Sequence, residues 1–393
     1  MTFNVIERAS ALEEQIIAWR RDFHKHPELG FQEFRTASVV ARELNDMGIE
    51  VSTGVGKTGV VGIIGDADGG RVVGIRADMD ALPILEANAV DYVSMHDGVM
   101  HACGHDAHTA ILLGVARMLV EMPDRPKGQI RLLFQPCEET EGDDGYSGAW
   151  HMIKDGALDG VDRVIALHVA SDMPAGKIAI RPGYISAAAD NFFGTVIGRA
   201  THGAHPDQGV DPIFIAAQVI NAIQGVVSRQ RDPVHPAVVT IGRINGGTAE
   251  NIIPDEVTMS GTIRSYDRKV REKLWADVER AFAVARAFGG DYRFELKKGC
   301  PSTHNDPKVA ELIRDTTIEL FGEDRLHERL PSLGGEDFSL MTEAAPGAMF
   351  MLGAKLDEIN RPHHNPLFDL NEQSFKDGAA LLAETTLRLL QGA

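Results

Sequence analysis

Cysteine is scarce in this chain: three in 393 residues, Cys103, Cys137 and Cys300. An odd, sparse set does not make a disulfide framework, and it fits a reducing compartment. Basic charge is short as well, with 39 Lys and Arg against 57 Asp and Glu and a formal net charge of −18. That balance argues against nucleic acid and anionic membranes as partners, since both reward basic surface. No apolar run approaches the roughly 18 residues that a transmembrane helix requires. The opening "MTFNVIERASALEEQIIAWRRDFHKHP" lacks a basic segment followed by an apolar one, so no signal peptide is expected and the expected location is cytoplasmic. What is present, 44% hydrophobic and 24% charged, is an ordinary globular composition long enough for two or three domains.

The pattern along the chain predicts an α/β fold. Helical periodicity from about Val5 to Met47 breaks at "HKHPELG", and short β-rich runs follow: "GIEVST", "GVVGIIG" and "RVVGIRAD". A helix from about Asp106 to Glu121, a strand at "QIRLLFQP", a helix at "SGAWHMIKDG" and a strand at "VDRVIALHVA" continue the alternation. This order predicts a mainly parallel sheet with helices on both faces. From Ser186 the texture changes to strand, helix, strand, strand, helix, strand, with Asp211 as N-cap before Pro212. That is a βαββαβ, ferredoxin-like unit. The α/β texture then resumes after Cys300. The expected domains are therefore a discontinuous catalytic domain, 1–185 and 299–393, and an insert, 186–298.

One motif is a decoy. "GVGKTG" at Gly54–Gly59 matches G-x-G-x-x-G and contains Gly-Lys-Thr. A dinucleotide fingerprint must open a helix, yet "VVGIIG" follows; the phosphate loop needs a glycine where Val51 stands. A glycine-rich hairpin turn is the expected reading.

In open α/β sheets ligands gather at the carboxyl ends of the strands. There the sequence delivers Asp78 and Asp80, Glu138 and Glu139, and His168. Cys103 and His105 stand at the mouth of a helix, and "RPHHNPLF" adds His363 and His364. Cysteine, histidine and glutamate are the usual ligands of a borderline divalent ion such as zinc. Gly104, between Cys103 and His105, lets the backbone turn tightly enough for both side chains to reach one centre. Of the adjacent pair Glu138 and Glu139, one can bind metal while the other takes a proton from metal-activated water.

Through these residues the chain resembles the metal-dependent aminoacylase/carboxypeptidase superfamily. The branch it is most similar to holds hippurate hydrolase, N-acyl-amino-acid amidohydrolases and auxin-conjugate hydrolases. The matching segments are "RRDFHKHPELGFQE", "GIRADMDALPI", "MHACGHDAHTA", "FQPCEE", "ALHV", "THGAHP", "GGTAENIIPD", "GTIRS", "GGEDFS" and "HHNPLFDLNE", from Arg20 to Glu372. The resemblance implies two divalent metal ions (zinc, manganese, cobalt or nickel) held by Cys103, His105, Glu139, His168 and His364. It implies Glu138 as general base toward a metal-bridging water, and His202 at the oxyanion. Asn251 and Arg264 would hold the substrate carboxylate, and Asp78 and Asp80 would orient ligand histidines from behind, with capping or turn roles as their alternative. It also implies a small-molecule N-acyl amino acid substrate and a homodimer through the insert, with a tetramer as a further option. Cys137 departs from the alanine usual in this branch's "PAEE". A turn role for His202 and a surface role for Arg264 remain open.

The expected function is thus amide hydrolysis. A dipeptidase or carboxypeptidase would use the same two-metal chemistry. A Cys–His hydrolase with Cys103 as nucleophile, and a non-enzymatic metal-buffering or small-molecule binding protein, are the alternatives from other classes.

Overall fold

The computed structural model describes residues 4–393. The chain forms two compact units. The first runs to Gly183, resumes over His304–Leu330 and ends with Leu340–Ala393; the second comprises Tyr184–Thr303 and Pro331–Ser339. The short stretch Pro331–Ser339 therefore groups with the second unit although it lies within 299–393.

The first unit is built on seven strands: β1 (Glu50–Val55), β2 (Gly59–Gly65), β3 (Arg71–Asp78), β4 (Gly128–Gln135), β5 (Arg163–Pro174), β6 (Ile178–Ala179) and β7 (Gly347–Lys355). Their order across the sheet is β1-β2-β4-β3-β5-β7-β6. The expectation of a mainly parallel sheet needs correction, because the sheet is mixed. Only the central run β4-β3-β5-β7 is parallel. The tight turn between β1 and β2 forces an antiparallel hairpin, β2 meets β4 antiparallel, and the two-residue β6 closes the other edge antiparallel to β7. "GVGKTG" is that hairpin turn, with Gly54, Gly56 and Lys57 all at positive φ.

Helices flank this sheet. The helix His105–Glu121 is buried along nearly its whole length, and its middle, residues 110–116, is apolar all round. It packs between the helices Glu13–Lys25 and Phe375–Leu390 and against β3 and β5. Its burial fixes the height at which its N-terminus meets the sheet edge.

In the second unit, strands Ala188–Ile197, Ala237–Gly246, Glu256–Ser265 and Asp291–Lys297 form one antiparallel sheet. Helices Pro212–Arg229 and Arg268–Phe282 cover it around a core that includes Phe192, Ile215, Val219, Ile263 and Phe282. Asp211 caps the first helix through the Ile213 and Phe214 N–H groups, and Asp267 caps the second. Among the described residues, no helix is long and apolar enough to cross a membrane.

Candidate metal centre

Because β4, β3 and β5 are parallel neighbours, their carboxyl ends open on one edge. Asp78 ends β3, and Asp80 follows two residues on. Glu138 and Glu139 follow β4, and His168 sits on β5. The start of helix His105–Glu121 brings Cys103 and His105 to the same edge. Donor atoms of Cys103, His105 and His168 all lie within 4.8 Å of one another, as do those of Cys103, Glu139 and His364, and those of His105, Glu138 and Glu139. The structure therefore joins all five expected ligands and Glu138 in one connected set.

The local backbone is shaped for this. Gly104 adopts φ 98°, and a Cβ there would lie 2.3 Å from Val169 Cγ2, so only glycine fits between Cys103 and His105. Cys137, just before the glutamate pair, and His364 are two non-glycine residues held at positive φ, 46° and 61°. Left-handed backbone in such residues persists only where surrounding contacts impose it. At His364 the N–H donates to the Ala102 carbonyl at 2.8 Å.

Hydrogen bonds orient the imidazoles. His105 Nδ1 lies 2.9 Å from the Asp80 carbonyl oxygen and 3.1 Å from Asp80 Oδ1. Facing two acceptors, Nδ1 carries a proton, and Nε2 points to the cluster. There it lies 3.9 Å from Glu138 Oε2 and 3.9 Å from Glu139 Oε1, buried and without a hydrogen-bond partner among the described residues. His168 Nδ1 likewise donates to the Val169 carbonyl at 2.8 Å, which leaves Nε2 3.6 Å from Cys103 Sγ. His364 Nε2 stands 3.0 Å from Glu139 Oε1. Asp80 also accepts the Glu139 N–H at 3.0 Å, so one carboxylate braces two of the five donors.

The electrostatics fit a cation. Burial, reinforced by Glu139 and Glu138, pushes the Cys103 thiol well above its ordinary value. Cys103 Sγ lies among the donor atoms of Glu139, His168 and His364, the placement of a ligand. Burial pushes His168 down to about 4 and leaves it neutral, as a ligand must be. Burial opposes charge on His105, but Asp78 and Asp80 overcome it and raise the group to about 10. The set thus draws positive charge to its middle. A divalent cation satisfies the same carboxylates, frees Nε2 of its proton and lowers the thiol.

Two neighbouring histidines are excluded as ligands or left aside. His108 Nε2 accepts the Val169 N–H at 2.9 Å and its Nδ1 donates to Asp78 Oδ1 at 2.6 Å, so neither nitrogen has a lone pair to spare. Asp78 in turn pairs with Arg76 at 2.6 Å; burial works against its charge, yet Arg76, His105 and His108 hold it well below the usual carboxylate range. His363 Nδ1 comes within 3.7 Å of Cys103 Sγ, an approach that the sequence reading left unassigned.

The three remaining residues belong to the second unit. His202 lies on the short strand Thr201–His202, paired with Ile252–Ile253. Its Nδ1 accepts the Ala204 N–H at 3.0 Å, so the neutral ring carries its proton on Nε2 as an outward donor. Asn251 is adjacent, its carbonyl accepting the Gly203 N–H at 2.7 Å. Arg264 sits on strand Glu256–Ser265, opposite Val238 and Ala189.

Comparison with known proteins places this geometry among relatives. The profile of peptidase family M20/M25/M40 matches residues 74–388. Thermostable carboxypeptidase 2 of Saccharolobus solfataricus is 42% identical over 380 residues, covering 95% of each chain. N-acetyl-L-cysteine deacetylase of Bacillus subtilis is 40% identical over 385 residues, covering 97% of this chain and 89% of the relative. Among solved structures, the Bacillus subtilis YXEP protein, described as a dinuclear metal binding peptidase, superimposes with a TM-score of 0.85 at 33% identity, covering 98% of this chain and 100% of that one.

Proposed function

Because the chain belongs to peptidase family M20/M25/M40, we propose that it is a metal-dependent amidohydrolase. It cleaves N-acyl amino acids and similar small, hippurate-like conjugates to a carboxylic acid and an amino acid. The observation that carries this reading is Glu138. Its carboxylate lies within 4.8 Å of the His105 and Glu139 donor atoms, while Cys103 alone already links the other four donors. A buffer or carrier of metal has no use for that extra carboxylate.

In this reading those five residues hold two divalent cations. Thiolate, imidazole and carboxylate together suit zinc, manganese, cobalt or nickel. When bound, the cations supply Lewis acidity, polarising a carbonyl and lowering the pKa of water. Glu138 accepts the proton of the attacking water and returns it to the leaving amine nitrogen. His202 donates its Nε2–H to the oxyanion that develops on the acyl carbonyl. Arg264 and Asn251 hold the substrate carboxylate, the guanidinium by a bidentate contact. Asp80 and Asp78 stand behind the donors, Asp80 on His105 and Glu139, Asp78 on His108.

The second unit, whose sheet runs Ala237–Gly246, Glu256–Ser265, Ala188–Ile197, Asp291–Lys297, is read as a ferredoxin-like insert. It serves as lid and dimerisation domain, 186–298, on a catalytic domain of 1–185 and 299–393. Exposed Phe193 and Ile244 on its sheet favour a homodimer, which sedimentation would test. Three free thiols favour a reducing, cytoplasmic setting.

The deciding experiment is turnover of the metal-reconstituted protein on hippurate, N-acetyl amino acids and dipeptides. Free amino acid released from the acylated substrates is the expected result. A carboxypeptidase reading with the same chemistry, favoured by the Saccharolobus relative, requires the dipeptides to be preferred. No cleavage of any of them would refute the assignment.

A further inference from the structure

Glu33 is a fully buried carboxylate at the head of the helix Phe34–Asp46, yet it does not cap that helix. The capping is done by Glu28, whose two oxygens accept the Arg35 and Thr36 N–H groups at 3.0 and 2.8 Å. Glu33 instead reaches away. Its Oε1 accepts the Cys137 N–H at 2.8 Å, and its Oε2 accepts the Thr58 hydroxyl at 2.5 Å.

Three strained turns meet around this carboxylate. Phe31, Lys57 and Cys137 are non-glycine residues at φ 59°, 79° and 46°. Lys57 Nζ lies 4.0 Å from the centre of the Phe31 ring. A Cβ on Gly30 would come 2.7 Å from Cys137 Sγ. Such clustering marks a place where packing over-determines the backbone. Two residues after Cys137, the Glu139 N–H is held by Asp80 at 3.0 Å. Glu138 therefore sits between two amides, each fixed by a buried carboxylate from a different part of the chain.

We propose that Glu33 is a positioning residue: by holding the Cys137 N–H it locks the left-handed turn that aims the Glu138 carboxylate. Thr58, from the "GVGKTG" turn, braces the other oxygen. The catalytic consequence rests on the amidohydrolase reading; the anchoring does not. Burial, with a contribution from Asp80, raises Glu33 to about 7, and the anchor works in either protonation state because Oε1 remains an acceptor.

The test compares Glu33→Ala, Glu33→Gln and Thr58→Val in the full-length protein. Three readouts are needed: hydrogen exchange of the Cys137 amide in metal-free protein, bound metal, and kcat and KM on an N-acyl amino acid. Removing an outer support of a metal site costs roughly 10–100-fold. Glu33→Ala should lose about that in kcat, with KM and bound metal nearly unchanged and the Cys137 amide exchanging faster. Glu33→Gln should keep both protection and turnover, since its amide oxygen still accepts the N–H and its amide nitrogen can donate to Thr58. Thr58→Val should fall between them. Wild-type protection at Cys137 in Glu33→Ala overturns the anchor. Lost protection with unchanged kcat overturns its role in turnover, and so does Glu33→Gln losing as much kcat as Glu33→Ala. If Glu33→Ala does not fold, Thr58→Val decides by the same two readouts. A wild-type protein inactive on every substrate defeats the amidohydrolase reading while the exchange data still decide the anchor.

Discussion

Gly104→Ala tests the construction of the centre most directly. The added methyl meets two separate penalties. The residue must keep φ 98°, which costs an L-residue about 1–2 kcal/mol. Its Cβ would also lie 2.3 Å from Val169 Cγ2, inside the buried core, and such overpacking costs about 1–3 kcal/mol. Together roughly 2–5 kcal/mol is a large share of the about 5–15 kcal/mol by which domains are stable. The damage is local to the donors. Cys103 and His105 flank the site, and the Val169 carbonyl orients His168. Gly48→Ala is the control: Gly48 has φ 77° but nothing within 4 Å of its Cβ position, so it carries the backbone penalty alone. Urea unfolding of metal-free protein and cobalt titration against a chromophoric chelator supply both numbers. We expect Gly104→Ala to lose roughly 2–5 kcal/mol and to bind cobalt at least about tenfold more weakly. Gly48→Ala should lose only about 1–2 kcal/mol and bind cobalt normally. Equal destabilisation by both, with cobalt affinity intact, would refute the account of Gly104.

Glu138→Gln should retain both metal equivalents by elemental analysis yet lose roughly 10²–10⁴-fold in kcat; near-normal turnover would assign the base elsewhere. Asp80→Asn keeps the backbone carbonyl on His105 Nδ1 but replaces one carboxylate oxygen with an NH2 that faces either the His105 Nδ1–H or the Glu139 N–H, so metal affinity should drop roughly 10–100-fold by competitive titration. Glu33 predicts a pH effect. Burial, then Asp80, raises this acid from 4.5 to about 7 in the folded protein, so its contribution is fully present below pH 4.5 and is lost as pH rises to about 7. The gap corresponds to roughly 3 kcal/mol. Glu33→Gln should therefore gain stability over wild type across that window in metal-free urea melts; a difference independent of pH would contradict the shift.

Much of the centre was legible because its donors stand at strand ends and beside a glycine, positions that a linear pattern exposes. "HACGHDAH" offers four imidazole or thiol groups besides the aspartate, but the string does not say which of them face a cation. His105 does, because Asp80 takes its Nδ1; His108 does not, because Val169 and Asp78 use both its nitrogens. His101 is buried with no hydrogen-bond partner on either nitrogen among the described residues, and burial pushes it down to about 3. Nothing in its own sequence neighbourhood separates these fates. Glu33 was equally silent, since an acid at the start of a helix reads as ordinary helix chemistry.

By itself the sequence determined the kinds of elements, their order and the inventory of donors. These depend on periodicity and on neighbours a few residues away, which the string contains. The tertiary structure decided how the sheet closes, with a hairpin and a two-residue edge strand making it mixed, and which side chains meet. Glu33 reaches Cys137 across 104 positions of chain. A hydrogen bond between residues that far apart is specified only when the packing of everything between them is fixed.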